Sequence, residues 1–164
     1  TITMTESIIN EIFENAVYPV YRGKQLTTRK VLNLGKEKYF WTDEEVPLLP
    51  IPYELLQSCR LECDYNCGLV NIYEAQTSIS SHTDTKKGMD VDAEVYSVSF
   101  GITDKFEFVK DGTVLGSFWI GKDKQEIKSG RHMIFDGYNL KHRASTFKSK
   151  QFKYRLNITL RKKL

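Results

Sequence analysis

Long apolar runs are missing from the sequence, which has no segment of about 20 apolar residues that could cross a membrane as a helix. The first residues, TITMTESIINEIF, also lack the basic-then-apolar order of a secretory signal. We therefore expect a soluble, intracellular protein with no membrane partner, in the cytoplasm or in another compartment that the sequence does not identify. The start at TITM leaves open that the chain is a domain excised from a larger protein, such as a viral polyprotein.

Cysteine is scarce, and its spacing argues against two common uses. Cys59, Cys63 and Cys67 are odd in number and follow a C-x3-C-x3-C pattern, which resembles one face of a helix more than a C-x2-C zinc pair or a disulfide framework. We predict buried, reduced thiols at these positions rather than a metal site.

Acidic residues are absent from the end of the chain. Residues 141–164 hold nine Lys or Arg and no Asp or Glu, whereas residues 42–140 hold nine Lys or Arg against seventeen Asp or Glu. A basic segment beside an acidic middle indicates a polyanionic partner approached from one side, or else a charged face that only meets solvent.

The 164 residues are most simply one globular domain that is α+β and mainly β. Apolar residues at helical spacing after Thr5 predict a helix over 5–16, and a second helix is predicted over about 52–64. Short alternating segments bounded by turn residues then predict a sandwich or jelly-roll barrel. These segments are LVNIYE, EVYSVSFG, KFEFV, VLGSFWI, KQEI, RHMIFD, HRASTF and KYRLNITLR.

The last of these segments raises the question of function. In a strand, Tyr154, Leu156, Ile158 and Leu160 share one face and can enter a core. The opposite face then carries Arg155, Asn157, Thr159 and Arg161. A guanidinium meets a carboxylate with two parallel hydrogen bonds, so this second face is either solvated or a binding surface for a small dianion.

The chain has only three histidines, and two of them are candidate metal ligands. His82 and Asp84 are two residues apart in SHTD, so both can point the same way in an extended segment. His142 follows later in LKHRA. Two imidazoles and one carboxylate form the facial triad of non-haem iron(II) oxygenases. His132, in GRHMIFD, is a rival third ligand, although a strand histidine in that context is more often structural.

The order of these motifs resembles the AlkB family of Fe(II)- and 2-oxoglutarate-dependent dioxygenases, from about residue 29 to the end. N-I-Y at 71–73, H-T-D at 82–84, Y-S-V-S-F-G at 96–101, S-G at 129–130, K-H-R at 141–143 and R-L-N-I-T-L-R at 155–161 carry the resemblance. The resemblance implies a double-stranded β-helix (jelly-roll) core over 66–164 with the N-terminal helices packed on it. It also implies metal ligands at His82, Asp84 and His142 for Fe(II), and residues that bind 2-oxoglutarate at Asn71, Tyr73, Arg155, Asn157 and Arg161.

The resemblance further implies a reaction. With Fe(II), 2-oxoglutarate and O2, such an enzyme oxidatively demethylates N-alkylated bases in RNA or single-stranded DNA and releases formaldehyde, succinate and CO2. Residues 17–50 would form a lid that recognises the nucleotide, with Arg29, Gly35, Tyr39 and Trp41 at the positions of the family's arginine-glycine-aromatic spacing.

One position departs from the family. Many members that repair nucleic acid carry an acid two places after the iron-binding aspartate, where this chain has Lys86. Either Asp90 or Asp92 in the following loop replaces that acid beside the base, or the substrate is not the usual 1-methyladenine or 3-methylcytosine. The leading interpretation is a monomeric nucleic-acid demethylase. The alternatives are a 2-oxoglutarate-dependent hydroxylase or demethylase of a protein or small molecule, and a non-catalytic nucleic-acid-binding module.

Overall fold

The computed structural model describes residues 5–36, 38, 46–59, 64–74, 76–145 and 151–164. Its helices are α1 (Glu6–Asn15) and α2 (Tyr53–Cys59). Its strands are β1 (Val20–Tyr21), β2 (Lys24–Gln25), β3 (Arg29–Gly35), β4 (Leu48–Leu49), β5 (Cys67–Glu74), β6 (Ile79–His82), β7 (Val95–Ile102), β8 (Val114–Ile120), β9 (Asp123–Lys128), β10 (His132–Phe135), β11 (His142–Ser145) and β12 (Tyr154–Arg161). No helix within these ranges is long and apolar enough to span a membrane.

Two sheets form the body of the fold. The six-stranded sheet has the order β10-β7-β12-β5-β3-β4, and the four-stranded sheet has the order β6-β11-β8-β9. Both sheets contribute to one apolar cluster, in which Leu69 and Val95 of the larger sheet meet Phe118 and Ala144 of the smaller one. Two sheets that bury their facing side chains in this way form the expected mainly β jelly-roll core, so the fold class is confirmed.

Strand β12 lies in the middle of the larger sheet and organises both of its faces. It pairs antiparallel with β5 and β7 along its whole length. Leu156, Ile158 and Leu160 are fully buried in a second apolar cluster on the outer face, where Ile9 and Ile12 of α1 pack. The alternation read from the sequence therefore holds. The side chains on the opposite face of β12 point to the interior between the sheets, and they are Arg155, Asn157, Thr159 and Arg161.

Helix α1 begins as predicted. The Thr5 hydroxyl accepts a hydrogen bond from the Ile8 backbone N–H at 3.3 Å, which satisfies one of the free donors of the first turn. Burial of Ile9 and Ile12 then fixes the apolar side of the helix on the larger sheet.

Some expected elements differ. Residues 29–35, placed in the lid, form β3 and pair with β5 from Arg29↔Tyr73 to Gly35↔Cys67, so this part belongs to the core sheet. The core therefore extends beyond 66–164. Cys67 lies in β5 rather than on a helix face, although it is buried, as expected. Cys59 ends α2, and Cys63 lies outside the described residues.

The segment KFEFV is the second difference, because it is not a strand. A tight turn occupies it instead, in which the Phe106 N–H donates to the Thr103 carbonyl at 3.0 Å. Phe106 has a φ of 60°, which is a left-handed conformation that a regular strand excludes. A single bridge between Ile102 and Phe108 is all the pairing that this segment makes.

Candidate metal centre

Two strands of the smaller sheet bring the candidate ligands together. His82 ends β6 and His142 begins β11, and the antiparallel register pairs these two residues directly. Asp84 follows His82 by two residues, and its backbone N–H donates to the Gly137 carbonyl at 2.8 Å. Residues that are sixty positions apart in the sequence therefore meet because of strand pairing, and the rings of the two histidines lie 4.4 Å apart.

The three side chains form a compact donor set. Asp84 Oδ1 lies 3.5 Å from His82 Nε2 and 3.3 Å from His142 Nε2. One donor atom from each side chain lies within 4.8 Å of the other two. Ligands on one face of an octahedral ion with bonds of about 2.1 Å lie about 3 Å apart. Two imidazoles and one carboxylate at these separations fit a divalent transition metal.

Backbone carbonyls orient both imidazoles. His82 Nδ1 lies 2.8 Å from the Ser80 carbonyl, and His142 Nδ1 lies 3.0 Å from the Leu140 carbonyl. A carbonyl can only accept, so each Nδ1 carries the proton and donates it. Nε2 is the nitrogen of each ring that faces Asp84: it donates a hydrogen bond to the carboxylate when the ring is protonated, and it carries the lone pair that a metal would use when the ring is neutral.

The Asp84 carboxylate is held from its other side. Arg161 Nη2 donates to Asp84 Oδ2 at 2.9 Å, while Arg161 Nη1 donates to the Thr159 hydroxyl at 2.7 Å. Gly137 packs against the same oxygen so closely that a Cβ there would lie 2.5 Å from Asp84 Oδ2. One carboxylate oxygen is therefore fixed by the protein, and the other is directed at the histidines.

These contacts shift two pKa values in opposite directions. Burial alone would raise the pKa of Asp84, but the hydrogen bonds from His142 and His82, together with Arg161, lower it far below its ordinary value. The hydrogen bond to Asp84 raises the pKa of His82 above its ordinary value, against the opposing effect of burial. The carboxylate is ionised at neutral pH, as a metal ligand must be.

The donor set lies at the wall of a cavity of about 370 Å³ between the two sheets. The side chains of Asp84 and His142 are each 6% exposed, whereas that of His82 is 45% exposed. The cavity therefore opens to solvent past His82. Its polar lining includes all of the residues predicted to bind the metal and 2-oxoglutarate, which are Asn71, Tyr73, His82, Asp84, His142, Arg155, Asn157 and Arg161.

Arg155 is the most unusual side chain in this lining. It is 2% exposed, and its Nε and Nη2 atoms have no hydrogen-bond partner among the residues that the structure describes. Its guanidinium lies 5.1 Å from the centre of the Tyr73 ring, and burial lowers the pKa of Arg155. A buried cation with unpaired donors is costly without an anion, so the cavity is built to receive one.

The neighbouring polar residues are arranged by the sheet register. Asn157 pairs with Asn71 on β5 and with Ser99 on β7. Its Nδ2 donates to the hydroxyls of Ser97 and Ser99, each at 3.0 Å. Within the described part of the chain, the carbonyl oxygen of the buried Asn71 side chain has no hydrogen-bond partner. This leaves an acceptor near Arg155 that a bound molecule can use.

Comparisons with known proteins were made for both sequence and structure. A scan against protein-family models finds no match, and a search of curated proteins finds none. Among solved structures, OsALKBH1 is similar with a TM-score of 0.61 and 17% sequence identity, over 96% of this chain and 91% of that chain. A conserved protein of unknown function from Streptococcus pyogenes, SPY1581, has 7% identity over 60% of this chain and 65% of its own, and its TM-score of 0.38 carries no argument.

The fold is therefore similar to that of the AlkB homologue OsALKBH1. Within this AlkB-like fold, the His82–Asp84–His142 group is the candidate metal site. The rival ligand His132 is not part of this group: it lies on β10, is exposed and stacks on Tyr96 with the ring centres 5.0 Å apart.

The predicted substrate residues are only partly described. Arg29 lines the cavity and donates to the Tyr73 hydroxyl at 3.4 Å. Lys86 does not line it; its amine donates to Asn139 Oδ1 at 3.2 Å on the surface. Neither Asp90 nor Asp92 lines it, and the Asp92 N–H donates to the Asp90 carboxylate instead. Tyr39 and Trp41 lie outside the described residues.

Sequence reasoning missed Gly137, Ser97 and Ser99. Gly137 accepts from the Asp84 N–H and leaves room for its carboxylate, and a glycine in a loop gives no sign of that. The two serines were visible as alternate residues in YSVSFG, a period that placed them on one face with the polar residues of β12.

Proposed function

We propose that this protein is an Fe(II)- and 2-oxoglutarate-dependent dioxygenase that oxidatively demethylates N-alkylated bases in RNA or single-stranded DNA. The observation that carries the proposal is the meeting, in one cavity, of the His82–Asp84–His142 donor set and a buried arginine, Arg155, whose Nε and Nη2 have no hydrogen-bond partner among the described residues. The first fits a divalent iron, and the second fits the free carboxylate of a dicarboxylic cosubstrate. The AlkB-like fold supports the same assignment.

The metal ligands would act through His82 Nε2, Asp84 Oδ1 and His142 Nε2. When bound there with 2-oxoglutarate, Fe(II) supplies the oxidation of a methyl group by O2, with CO2 and succinate formed from the cosubstrate and formaldehyde from the methyl group. Three protein ligands would leave coordination positions of the ion for cosubstrate and O2. Arg161 keeps Asp84 oriented for this role through its hydrogen bond to Oδ2.

Arg155 would pair with the far carboxylate of 2-oxoglutarate. The Tyr73 ring lies beside it, Asn71 adds a polar side chain to the same pocket, and Asn157 is held toward the cavity by Ser97 and Ser99. On β12, the backbones of Arg155 and Arg161 are six residues apart, which is about 20 Å along a strand. If the two long side chains lean toward each other, the distance between their guanidinium groups matches the length of a five-carbon diacid. Both ends of the cosubstrate are then held by the same strand.

The methylated base would enter from the open side. His82 is the most exposed of the three ligands, so a base that leaves its stack reaches the metal past it. Arg29 at the cavity wall can contact the phosphate beside that base.

The test measures both products. Purified protein is made anaerobic and supplied with Fe(II), 2-oxoglutarate and a set of methylated RNA and single-stranded DNA oligonucleotides; O2 is then admitted, and succinate and formaldehyde are measured. We expect formaldehyde with at least one oligonucleotide. It should disappear in His82→Ala and persist in His132→Ala, which removes an exposed imidazole outside the donor set.

Other outcomes would redirect the proposal. Succinate that requires His82, without formaldehyde from any oligonucleotide, would retain the iron chemistry and move the substrate to a protein side chain or small molecule. If neither product forms while the oligonucleotides bind, the protein is a nucleic-acid-binding module and the dioxygenase proposal is wrong.

A further inference from the structure

An aromatic and cationic cluster lies on the outer face of the smaller sheet, beside the candidate metal centre. The register places Arg143 on β11 opposite Trp119 on β8, and Trp119 opposite Lys124 on β9. The Arg143 guanidinium carbon lies 3.6 Å from the centre of the Trp119 ring, and the Lys124 amine lies 5.4 Å from it. We call Trp119, Lys124 and Arg143 the outer-face cluster.

Within the part of the chain that the structure describes, neither Arg143 nor Lys124 forms an ion pair with an acidic residue. Glu126, which lies two residues along the same face of β9, is 4.0 Å from Lys128 instead. Arg143 and Lys124 are both exposed, so their charge is available to an anion from solvent.

The position of the cluster relates it to the cavity. His142 and Arg143 are consecutive in β11, so the buried imidazole points inward and the exposed guanidinium points outward. Arg143 also belongs to the lining of the cavity that contains His82 and Asp84. A nucleic-acid strand that places one base at the open side of the cavity can therefore extend past the edge of the cavity onto the outer-face cluster.

We propose that the outer-face cluster is a docking site for a nucleotide of single-stranded nucleic acid that flanks the target base, and this inference rests on the proposed function. Its cations contact the phosphates. The free plane of the Arg143 guanidinium, which is backed by Trp119, stacks on a base, since bases stack on arginine planes as well as on aromatic rings. The stacked arginine and tryptophan favour nucleic acid over an acidic protein, which offers charge but no flat base.

The phosphate part is tested with a fluorescein-labelled oligothymidylate, which carries no N-methyl group, and fluorescence anisotropy over a range of KCl concentrations. Each phosphate contact adds about 0.7 to the magnitude of the slope of log affinity against log salt for a single strand. We expect Arg143→Gln and Lys124→Gln each to reduce the slope by about that amount. Lys110→Gln, the same change at an exposed turn, should leave it unchanged.

The base part is tested by comparing the oligothymidylate with an abasic strand of equal length. Stacking of one base predicts that the wild-type protein prefers the thymidylate by about fivefold to hundredfold. Trp119→Leu should reduce that preference, and Trp119→Phe should restore most of it. A thermal melt checks that each variant folds. If Trp119→Leu does not fold, Lys124→Gln still tests the cluster, because Lys124 is exposed.

Three results would overturn the proposal: equal salt slopes in the wild type and both charge variants, no preference for the strand that has bases, or competition by polyglutamate as effective as by nucleic acid. All of them can occur while formaldehyde is still produced, in which case the demethylase stands and the cluster is wrong. Loss of formaldehyde from every methylated oligonucleotide, with the slopes changing as expected, would overturn the reaction and keep the cluster.

Discussion

Replacing Arg155 with methionine should stabilise the protein in the absence of ligand, because methionine has no donors to leave unpaired. Two nitrogen atoms of this 2% exposed side chain, Nε and Nη2, lack a hydrogen-bond partner among the described residues, and each such buried group costs about 1–3 kcal/mol. The contact with the Tyr73 ring offsets about 0.5–2 kcal/mol of that cost. A net gain of about 2 kcal/mol would raise the melting temperature by about 4–8 °C in a domain of this size.

The effect should reverse when 2-oxoglutarate is added. At a concentration of 100 times its Kd, the cosubstrate stabilises the wild-type protein by about 2.7 kcal/mol. Loss of a buried charged partner weakens binding by about 2–5 kcal/mol, which is about 30-fold to several thousandfold in Kd. At the same concentration, the stabilisation of the variant should therefore fall to between about 0.9 kcal/mol and almost nothing.

Thermal unfolding is followed by circular dichroism, with Mn(II) in place of iron. The melting temperatures of the wild type and of Arg155→Met are each measured with and without 2-oxoglutarate. Arg131→Met is the matched control, because Arg131 is exposed and pairs only with the exposed Asp111 at 3.4 Å. It should change stability by less than about 0.5 kcal/mol and leave the ligand effect intact. An unliganded Arg155→Met protein that melts lower than the wild type, or one that 2-oxoglutarate stabilises normally, would refute the reasoning.

Two further changes address the metal ligands. Gly137→Ala should weaken Mn(II) binding by about 10- to 100-fold, since its Cβ would lie 2.5 Å from Asp84 Oδ2. Titration calorimetry measures this affinity, and the control Gly23→Ala, whose Cβ meets nothing within 4 Å, should bind Mn(II) normally. Equal affinities of the two variants would show that Gly137 does not position Asp84. The pKa of His82 is higher in the folded than in the unfolded protein. Its protonation therefore stabilises the metal-free fold fully below the pKa of the unfolded state, which is about 6.5, and this stabilisation is lost as the pH rises through the pKa of the folded state. The metal-free melting temperature should therefore fall above about pH 6.5, and an equal fall in His82→Gln would rule out His82 as the cause.

The strand that carries the polar row could be predicted because its residues decide it locally. The alternation from Tyr154 to Arg161 has one apolar and one polar face, and only one register puts the apolar face into a core. The choice of His142 over His132 rested on the family resemblance, because the KHR context of His142 matches the family's motif. Direct pairing of His142 with His82 depends on which strands become neighbours, which the sequence does not reveal.

Other elements could not be predicted because tertiary contacts determine them. The sequence of β3 mixes basic and apolar residues, and its strand form comes from pairing with β5. Strand β6 is short and polar, with three of its four residues exposed, so it lacks an apolar period altogether. In KFEFV the sequence predicted a strand that does not form. Its residues alternate as in a strand, but the turn at Phe106 prevents a strand there.

The position of β6 has a consequence for the lifetime of the protein. As an edge strand of the smaller sheet, it presents backbone groups on one side that no neighbouring strand pairs, and its register with β11 is irregular. Metal held between His82, Asp84 and His142 would fasten this edge to β11 and to the Gly137 loop. Iron starvation would then release the strand to proteases and to other polypeptides, so that scarcity of the metal would lower the amount of the protein as well as its activity.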